Sequence, residues 1–431
     1  MFKTLVNAFK DKDIRRKIFL TIGLLLIYRI GCWLPVPGLN PASEAWAVDS
    51  QDFLSLISSV SGGALANGAI LALGISPYIS SSIIIQLLTI AIPSLERLSK
   101  MGEEGKKKIS AYTKYCALVL ALVQAVAIVI GYSDALNTLV FPKWLVGMIV
   151  VLILVAGSMF TYWLGEKITA VGLSNGLSLL IFVGILSTAG NSLLGVFVNI
   201  FSGVAVGESL LELGLFIVAL VFIFGFIVFI DMAERKVTVQ YAKQIKGRKM
   251  YGGQNTHIPI RVNATGVMPI IFAMSLLSFP QLIMSLFCSP DNSFYVWYSN
   301  WLGAGGWIYI VLTGLLITFF AFFWTQITFN PEDISKNIQQ NGGFIPGIRP
   351  GKPTADYLKK ISNRITLFGA IFLAIIAIVP SLIFKALSFT GGLVGAFSAT
   401  GLLIVVSVAI ELDKSLESQM LMKSYKGFLN K

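Results

Sequence analysis

The sequence predicts an all-α polytopic membrane protein: ten transmembrane helices in two inverted five-helix halves, one short re-entrant helix, and basic cytoplasmic loops. Three observations carry that reading. Mean hydropathy is +0.79, with 55% hydrophobic and 13% charged residues, too apolar for the surface of a soluble chain. Ten apolar runs each have the roughly 18–25 residues needed to cross a bilayer. The basic residues gather between those runs, and short loops rich in Lys and Arg stay on the cytoplasmic side.

At the N-terminus, Lys10, Lys12, Arg15, Arg16 and Lys17 precede the apolar stretch 18–30, as in a secretory signal. Trp33-Leu34-Pro35-Val36-Pro37-Gly38 follows instead of a small-residue cleavage pattern, so an uncleaved first span is expected at 18–36. The second is placed at 75–93 and the third at 115–132, either side of a window holding Lys106, Lys107 and Lys108. Between the first two lies the uncharged segment 53–73. The basic N-terminus and the 97–114 window both belong inside, so an even number of crossings separates them, and a third span here would break the rule. Ser58, Ser59, Ser61, Gly62, Gly63, Asn67 and Gly68 also make it weakly apolar. It reads as a short re-entrant helix entering from outside, tolerated at depth only where protein or water surrounds it.

Spans four and five are placed at 146–164 and 176–200, six and seven at 209–230 and 264–287. Eight, nine and ten follow at 306–328, 366–386 and 393–410. With this count every Lys and Arg except Arg29, Lys143 and Lys385 falls inside, both termini included, while outer loops carry Glu44, Asp49, Asp52, Asp134, Glu208 and Asp291. The net charge of +12 is thus read as lipid-facing positive-inside charge. Five helices per half invert the second half, 206–431, relative to the first, 1–205, and such repeats place the functional path at their interface.

The loops at about 231–263 and 329–365 exceed what joining two helices requires. The first alternates polar and apolar residues over 236–241 and 257–262, around Gly247 and Gly252-Gly253, and predicts a protruding hairpin. The second has a turn-rich basic tip at Gly347-Ile348-Arg349-Pro350-Gly351. Basic tips suit the phosphates of RNA or an acidic protein face.

Catalytic chemistry finds no residues. The single histidine, His257, sits in a basic loop, and Cys32, Cys116 and Cys288 lack metal or redox spacing. No nucleophile with a partner base and no phosphate-binding Gly-Lys-Ser or Gly-Lys-Thr loop occurs. Ion-coupled small-molecule transport is the alternative reading, with a structural scaffold behind it. Transport usually needs ionisable groups within the spans. Arg29 is the only charge well inside a run, and snorkelling or a carbonyl partner is its plain explanation; Glu166, Lys167, Asp231, Glu234, Glu411 and Asp413 lie at span ends. Ile75 with Ile79, and Leu177 with Ile181, are each four apart and share a helix face. Lipid or helix contact explains such pairs as well as an aliphatic constriction that gates a pore by excluding water.

Several motifs occur in order along the chain. They are Tyr28-Arg29-Ile30-Gly31 with Pro35-Val36-Pro37-Gly38, then Ser61-Gly62-Gly63-Ala64-Leu65, then Leu73-Gly74-Ile75-Ser76-Pro77-Tyr78-Ile79 running on to Gln86-Leu87-Leu88. Trp163-Leu164-Gly165-Glu166, Ser174-Asn175-Gly176-Leu177-Ser178, Val239-Gln240-Tyr241-Ala242-Lys243 and 343–351 follow. On these the chain resembles, end to end, the SecY family of channel subunits of the bacterial Sec protein translocase.

The resemblance implies a protein-conducting channel in the bacterial plasma membrane. It passes unfolded, signal-bearing polypeptides across and releases apolar segments sideways into lipid, with no cofactor. The implied pore ring is Ile75, Ile79, Leu177, Ile181, Ile271 and Ile404, with leucine at 177 where isoleucine is expected. Segment 53–73 matches the plug, with Ser61, Gly62, Gly63, Asn67 and Gly68 letting it pack closely and leave. Gln86 and Asn263 match polar positions of a lateral gate between spans two and seven, and Arg248, Lys249 and Arg349 are the implied contacts for soluble partners. The implied partners are the SecE and SecG subunits, the SecA ATPase, the ribosome with its RNA and proteins, signal peptides and nascent chains, and membrane lipids.

Overall fold

The computed structural model describes residues 9–40, 58, 61–136, 142–201, 206–241, 244–246, 249–251, 255–263, 266–287, 293–302, 306–386 and 399–429. Each of the ten apolar runs holds a helix among its described residues: α1 (Lys12–Gly31), α2 (Ser76–Ala91), α4 (Glu103–Gly131), α5 (Lys143–Val171), α6 (Gly176–Phe201), α7 (Val206–Asp231), α8 (Met268–Phe287), α10 (Trp307–Thr328), α12 (Lys352–Ala386) and α13 (Ala399–Leu429). Shorter helices are α3 (Pro93–Lys100), α9 (Ser293–Leu302) and α11 (Pro331–Gln340). The chain forms two compact units. One holds residues 1–213, 275–309 and 388–431, the other 214–274 and 310–387.

In the first unit, Asp11 caps α1 by accepting from the Asp13 amide at 2.9 Å, one of the free donors of a helix start. The α2 helix covers only about 24 Å at 1.5 Å per residue, short of a hydrocarbon core of roughly 30 Å. Its end has a local cause. Pro93 brings no N–H and pushes the preceding residue out of helical geometry, and Ile92 is extended at φ −108°, ψ 113°. The chain turns by 102° into α3, whose Lys100 pairs with Glu96 at 2.6 Å. Buried Ala117, Ala121 and Ala125 give α4 a small-residue face for close packing. Ser81 of α2 donates to the Thr113 carbonyl at 2.6 Å. At the other end of the chain, Gln419 of α13 donates to the Gly172 carbonyl and accepts from Lys17 of α1 at 3.3 Å. Ile14, Leu173 and Leu416 pack beside this junction. The start of α1, the α5–α6 turn and the Leu416–Gln419 stretch of α13 therefore meet at one junction.

The second unit carries a sheet outside its spans. Strand β1 (Glu234–Tyr241) pairs antiparallel with β4 (Asn255–Arg261), from Glu234 opposite Arg261 to Gln240 opposite Asn255. Between them β2 (Gln244–Lys246) and β3 (Lys249–Tyr251) pair as a smaller hairpin. The protrusion expected at 231–263 is present. The second loop is more ordered than its turn-rich sequence suggested: α11 and β5 (Gly343–Phe344) fold back, and β5 joins the free edge of β1. Val237, Val239, Ile260, Ile338, Ile345 and Leu358 form the shared core. Both loops are thus one small globule, with α12 extending its first turns out to reach it.

Candidate functional site

The last turn of α1 reaches the re-entrant segment with three neighbouring side chains. Arg29 Nη1 donates to the Gly62 carbonyl at 3.0 Å. Tyr28, 2% exposed, donates its hydroxyl to the Ser61 carbonyl at 3.4 Å. The Cys32 thiol points at the same carbonyl at 3.6 Å. Arg29 thus has the carbonyl partner its sequence context called for, and the Trp33 ring lies 5.7 Å from its guanidinium.

Ser58 is helical and 61–73 is a series of turns; the other residues of the expected re-entrant helix, 53–57, 59 and 60, lie outside the described residues. The segment's composition explains the turns. Gly62, Gly63 and Gly68 all adopt positive φ, at 71°, 83° and 53°, conformations open mainly to glycine. The amide of Gly63 and the hydroxyl of Ser61 both donate to the Ser58 carbonyl, at 2.7 and 3.2 Å. Asn67 is exposed and its amide donates to the Gly63 carbonyl at 3.0 Å. Beyond it, the Val36 amide donates to the Gly68 carbonyl at 2.8 Å and the Ile70 amide to Leu34 at 2.9 Å.

Glycine is also needed for contact. A Cβ at Gly62 would lie 2.5 Å from Arg29 Nη1 and 3.0 Å from the Gly184 Cα of α6. One at Gly157 of α5 would meet the Ile70 carbonyl oxygen at 2.1 Å. The segment is therefore seated backbone to backbone between α5 and α6.

Gly184 lies between Ile181 and Ile185, which are 7% and 5% exposed. Ile75 is 4% and Ile404 7% exposed, while Ile79 is half-buried, all in this unit. Leu177 points elsewhere: its Cδ2 fills the notch over Gly165 of α5. Sequence reading missed Ile185. The four-residue spacing from Ile181 was the available signal, but only the Gly62–Gly184 contact gives that turn its significance. Ile271, in the second unit, is half-buried on α8.

Gln86 on α2 donates to Ser82 Oγ at 3.3 Å, and its buried carbonyl oxygen has no partner among the described residues. Asn263, in the second unit, donates to Asp231 at 2.8 Å and leaves its Oδ1 in the same condition. Past the fourth span, Glu166 accepts from Tyr162 and pairs with Lys114 of α4 at 2.9 Å. Burial raises the Glu166 pKa, but the hydrogen bonds from Tyr162 and Lys114 and the charges of Lys114 and Lys167 outweigh it and hold the carboxyl below its ordinary value.

Of the basic tip residues, Arg349 is exposed on a turn whose carbonyl accepts from Thr354 Oγ1 at 2.9 Å, with buried Ile345 anchoring the approach. Lys249 opens β3, opposite Lys246. Arg248 lies outside the described residues. Among the described residues no three His, Cys, Asp or Glu side chains group as metal ligands.

Comparison with known proteins agrees with this arrangement. The SecY family model matches residues 69–412. Protein translocase subunit SecY of Mycobacterium tuberculosis is 39% identical over 460 residues, covering 100% of both chains. That of Halalkalibacterium halodurans is 39% identical over 438 residues, again with 100% of both covered. The Thermotoga maritima subunit is 38% identical over 444 residues, with 100% of this chain and 98% of that one covered. Among solved structures, a protein-conducting channel superposes with a TM-score of 0.65 at 20% identity, covering 93% of this chain and 91% of that one. A study of the SecY plug domain gives 0.64 at 20%, covering 92% and 90%. The channel of a canine ribosome–channel complex gives 0.62 at 18%, covering 94% and 92%. The fold is accordingly that of the ten-span channels with a plug, and the chain belongs to the SecY family.

Proposed function

We propose that this chain is the pore subunit of a protein translocase, conducting signal-bearing unfolded polypeptides across a membrane and releasing apolar segments sideways into lipid. One observation carries the mechanism. A small-residue segment is suspended by backbone carbonyls from Tyr28 and Arg29 and rests on Gly184, beside the aliphatic turn Ile181–Ile185. Leu65, Leu71 and Leu73 anchor the far end of the segment in the core, so a chain entering the pore displaces the glycine turn at 61–63 rather than the whole segment.

Ile75, Ile79, Ile181, Ile271 and Ile404 form the proposed ring, with Ile185 added on α6 and Leu177 lining the wall. A collar of aliphatic side chains excludes water and ions yet offers no hydrogen bond or charge to hold a passing sequence. Gln86 and Asn263 are proposed gate residues on either side of a seam where the halves 1–205 and 206–431 part. Their unpartnered carbonyl oxygens fit a seam that opens, because a fully bonded one would resist a signal sequence.

Both termini and the loop globule face the cytoplasm of a bacterial plasma membrane in this proposal, as the basic windows require. Arg349, Arg248 and Lys249 meet the ribosome or the SecA ATPase there, and SecE and SecG complete the complex. The chain performs no catalysis; the partner supplies the work.

A photocrosslinker at Ile79, in vesicles containing this chain with SecE and SecG, tests the proposal. SecA, ATP and a precursor arrested midway are added. Crosslinking that needs ATP and an intact signal sequence is expected. A precursor that becomes fully protected without touching Ile79 would refute the ring, and no protected precursor with active partners would refute the conduit.

A further inference from the structure

Two cavities open along one seam of the second unit, between α10 and α12, at different depths. The outer one, about 560 Å³, lies where α10 ends and is walled by α11 and the first turns of α12. Lys336, Lys352 and Lys359 line it against Glu332 and Asp356, three cations to two carboxylates, leaving one net positive charge. Ser362, a buried residue, contributes to the same wall. The inner one is an open groove of about 630 Å³ whose lining, including Leu315, Phe319, Ile371 and Ile375, carries no charged residue.

Leu315, Phe319 and Gln326 recur at helical spacing and lie on one face of α10, so both openings belong to a continuous track. From Phe319 to Gln326 the helix rises about 10 Å. The polar zone of a bilayer leaflet is only roughly 5–7 Å deep, so the groove lies in hydrocarbon when the lysines stand at headgroup level. Gly314 holds the groove open, since a Cβ there would come within 3.0 Å of Ile378 Cδ1.

We infer that this seam binds one glycerophospholipid with an anionic headgroup, its phosphate between Lys336 and Lys359 and an acyl chain along Phe319 and Ile375. Charge and depth together select this occupant. A free anion has no use for the groove, and a zwitterionic lipid gains nothing from the excess lysine. A partner helix could use Gly314, Thr318 and Ala374 of the groove, but it would leave the lysine-lined outer cavity without a counter-charge.

The test uses the full chain in phosphatidylcholine nanodiscs doped with phosphatidylglycerol, followed by native mass spectrometry of the lipid retained after transfer to detergent. One phosphatidylglycerol per chain is expected, at least tenfold over phosphatidylcholine when corrected for abundance. Lys336→Gln with Lys359→Gln should lower retention at least fivefold. Ile375→Trp, on the exposed lip of the groove, should also lower it with the lysines intact, and millimolar inorganic phosphate should not displace the lipid. Unchanged melting of both variants confirms that the fold is kept. Equal retention of the two lipids, no effect of the lysine variant, or full displacement by phosphate with Ile375→Trp inert would each overturn the proposal. So would a co-purifying polypeptide that crosslinks at Ile375 and excludes lipid.

Discussion

At Gly62 two constraints coincide. The residue sits at φ +71°, and a Cβ would press on both Arg29 and the α6 backbone. Gly62→Val, β-branched and strained there, should unseat the segment and make resting vesicles leak small ions without any precursor. Arg29 holds the same loop from the other side. A hydrogen bond to a charged group is worth about 1.5–3 kcal/mol, so Arg29→Gln should raise the resting leak by roughly ten- to a hundredfold, read as halide flux. A tight Arg29→Gln vesicle would mean that the contact does not hold the channel shut. Arg29 was legible as an anomaly, the one charge well inside a span. Its partner was not, because Gly62 is 33 residues away and neither carbonyl acceptors nor loop paths are written in side-chain pattern.

Among elements, those set by nearest-neighbour chemistry were the most legible. Pro93 ends α2 through its missing N–H, and the alternation over 236–241 and 257–262 yields the β1–β4 hairpin. The contribution of α11 and β5 was not legible. Two residues of strand and one short amphipathic helix acquire meaning only when Ile338 and Ile345 meet Val239 and Leu358. Leu358, 0% exposed, anchors that core from α12. Leu358→Ala should destabilise the globule by about 2–5 kcal/mol, seen as faster proteolysis within 231–263 and 329–365 while the spans stay protected.

The Lys114–Glu166 pair joining α4 and α5 predicts a pH effect. Because the folded pKa of Glu166 is depressed, its contribution is present above the ordinary carboxylate pKa and fades as pH falls through the folded value. With both side chains over 40% exposed, that contribution is about 0.2–1 kcal/mol. Glu166→Gln should therefore lower the melting temperature slightly near neutrality and not at all at strongly acidic pH.

For the whole molecule, the proposed docking surface and pore are separable. Arg349→Glu inverts the charge of an exposed tip without touching the core at Ile345. Precursor transport driven by SecA should fall at least tenfold while the resting leak stays unchanged. A drop in transport accompanied by a leak would place Arg349 in the fold rather than at the docking face.

By itself the sequence determined the class, the number of crossings and which loops are basic. Those follow from one-dimensional quantities: the length of apolar runs against bilayer thickness, and charge parity between them. It also showed that 53–73 could not be a plain span. Only the tertiary structure decided what that segment does. Its Gly62 closes on Gly184, its carbonyls find Tyr28 and Arg29, and Leu177 turns toward Gly165 while Ile185 stands beside Gly184. Each is a contact between backbones or residues far apart in the chain, where close approach rather than hydropathy selects the residue.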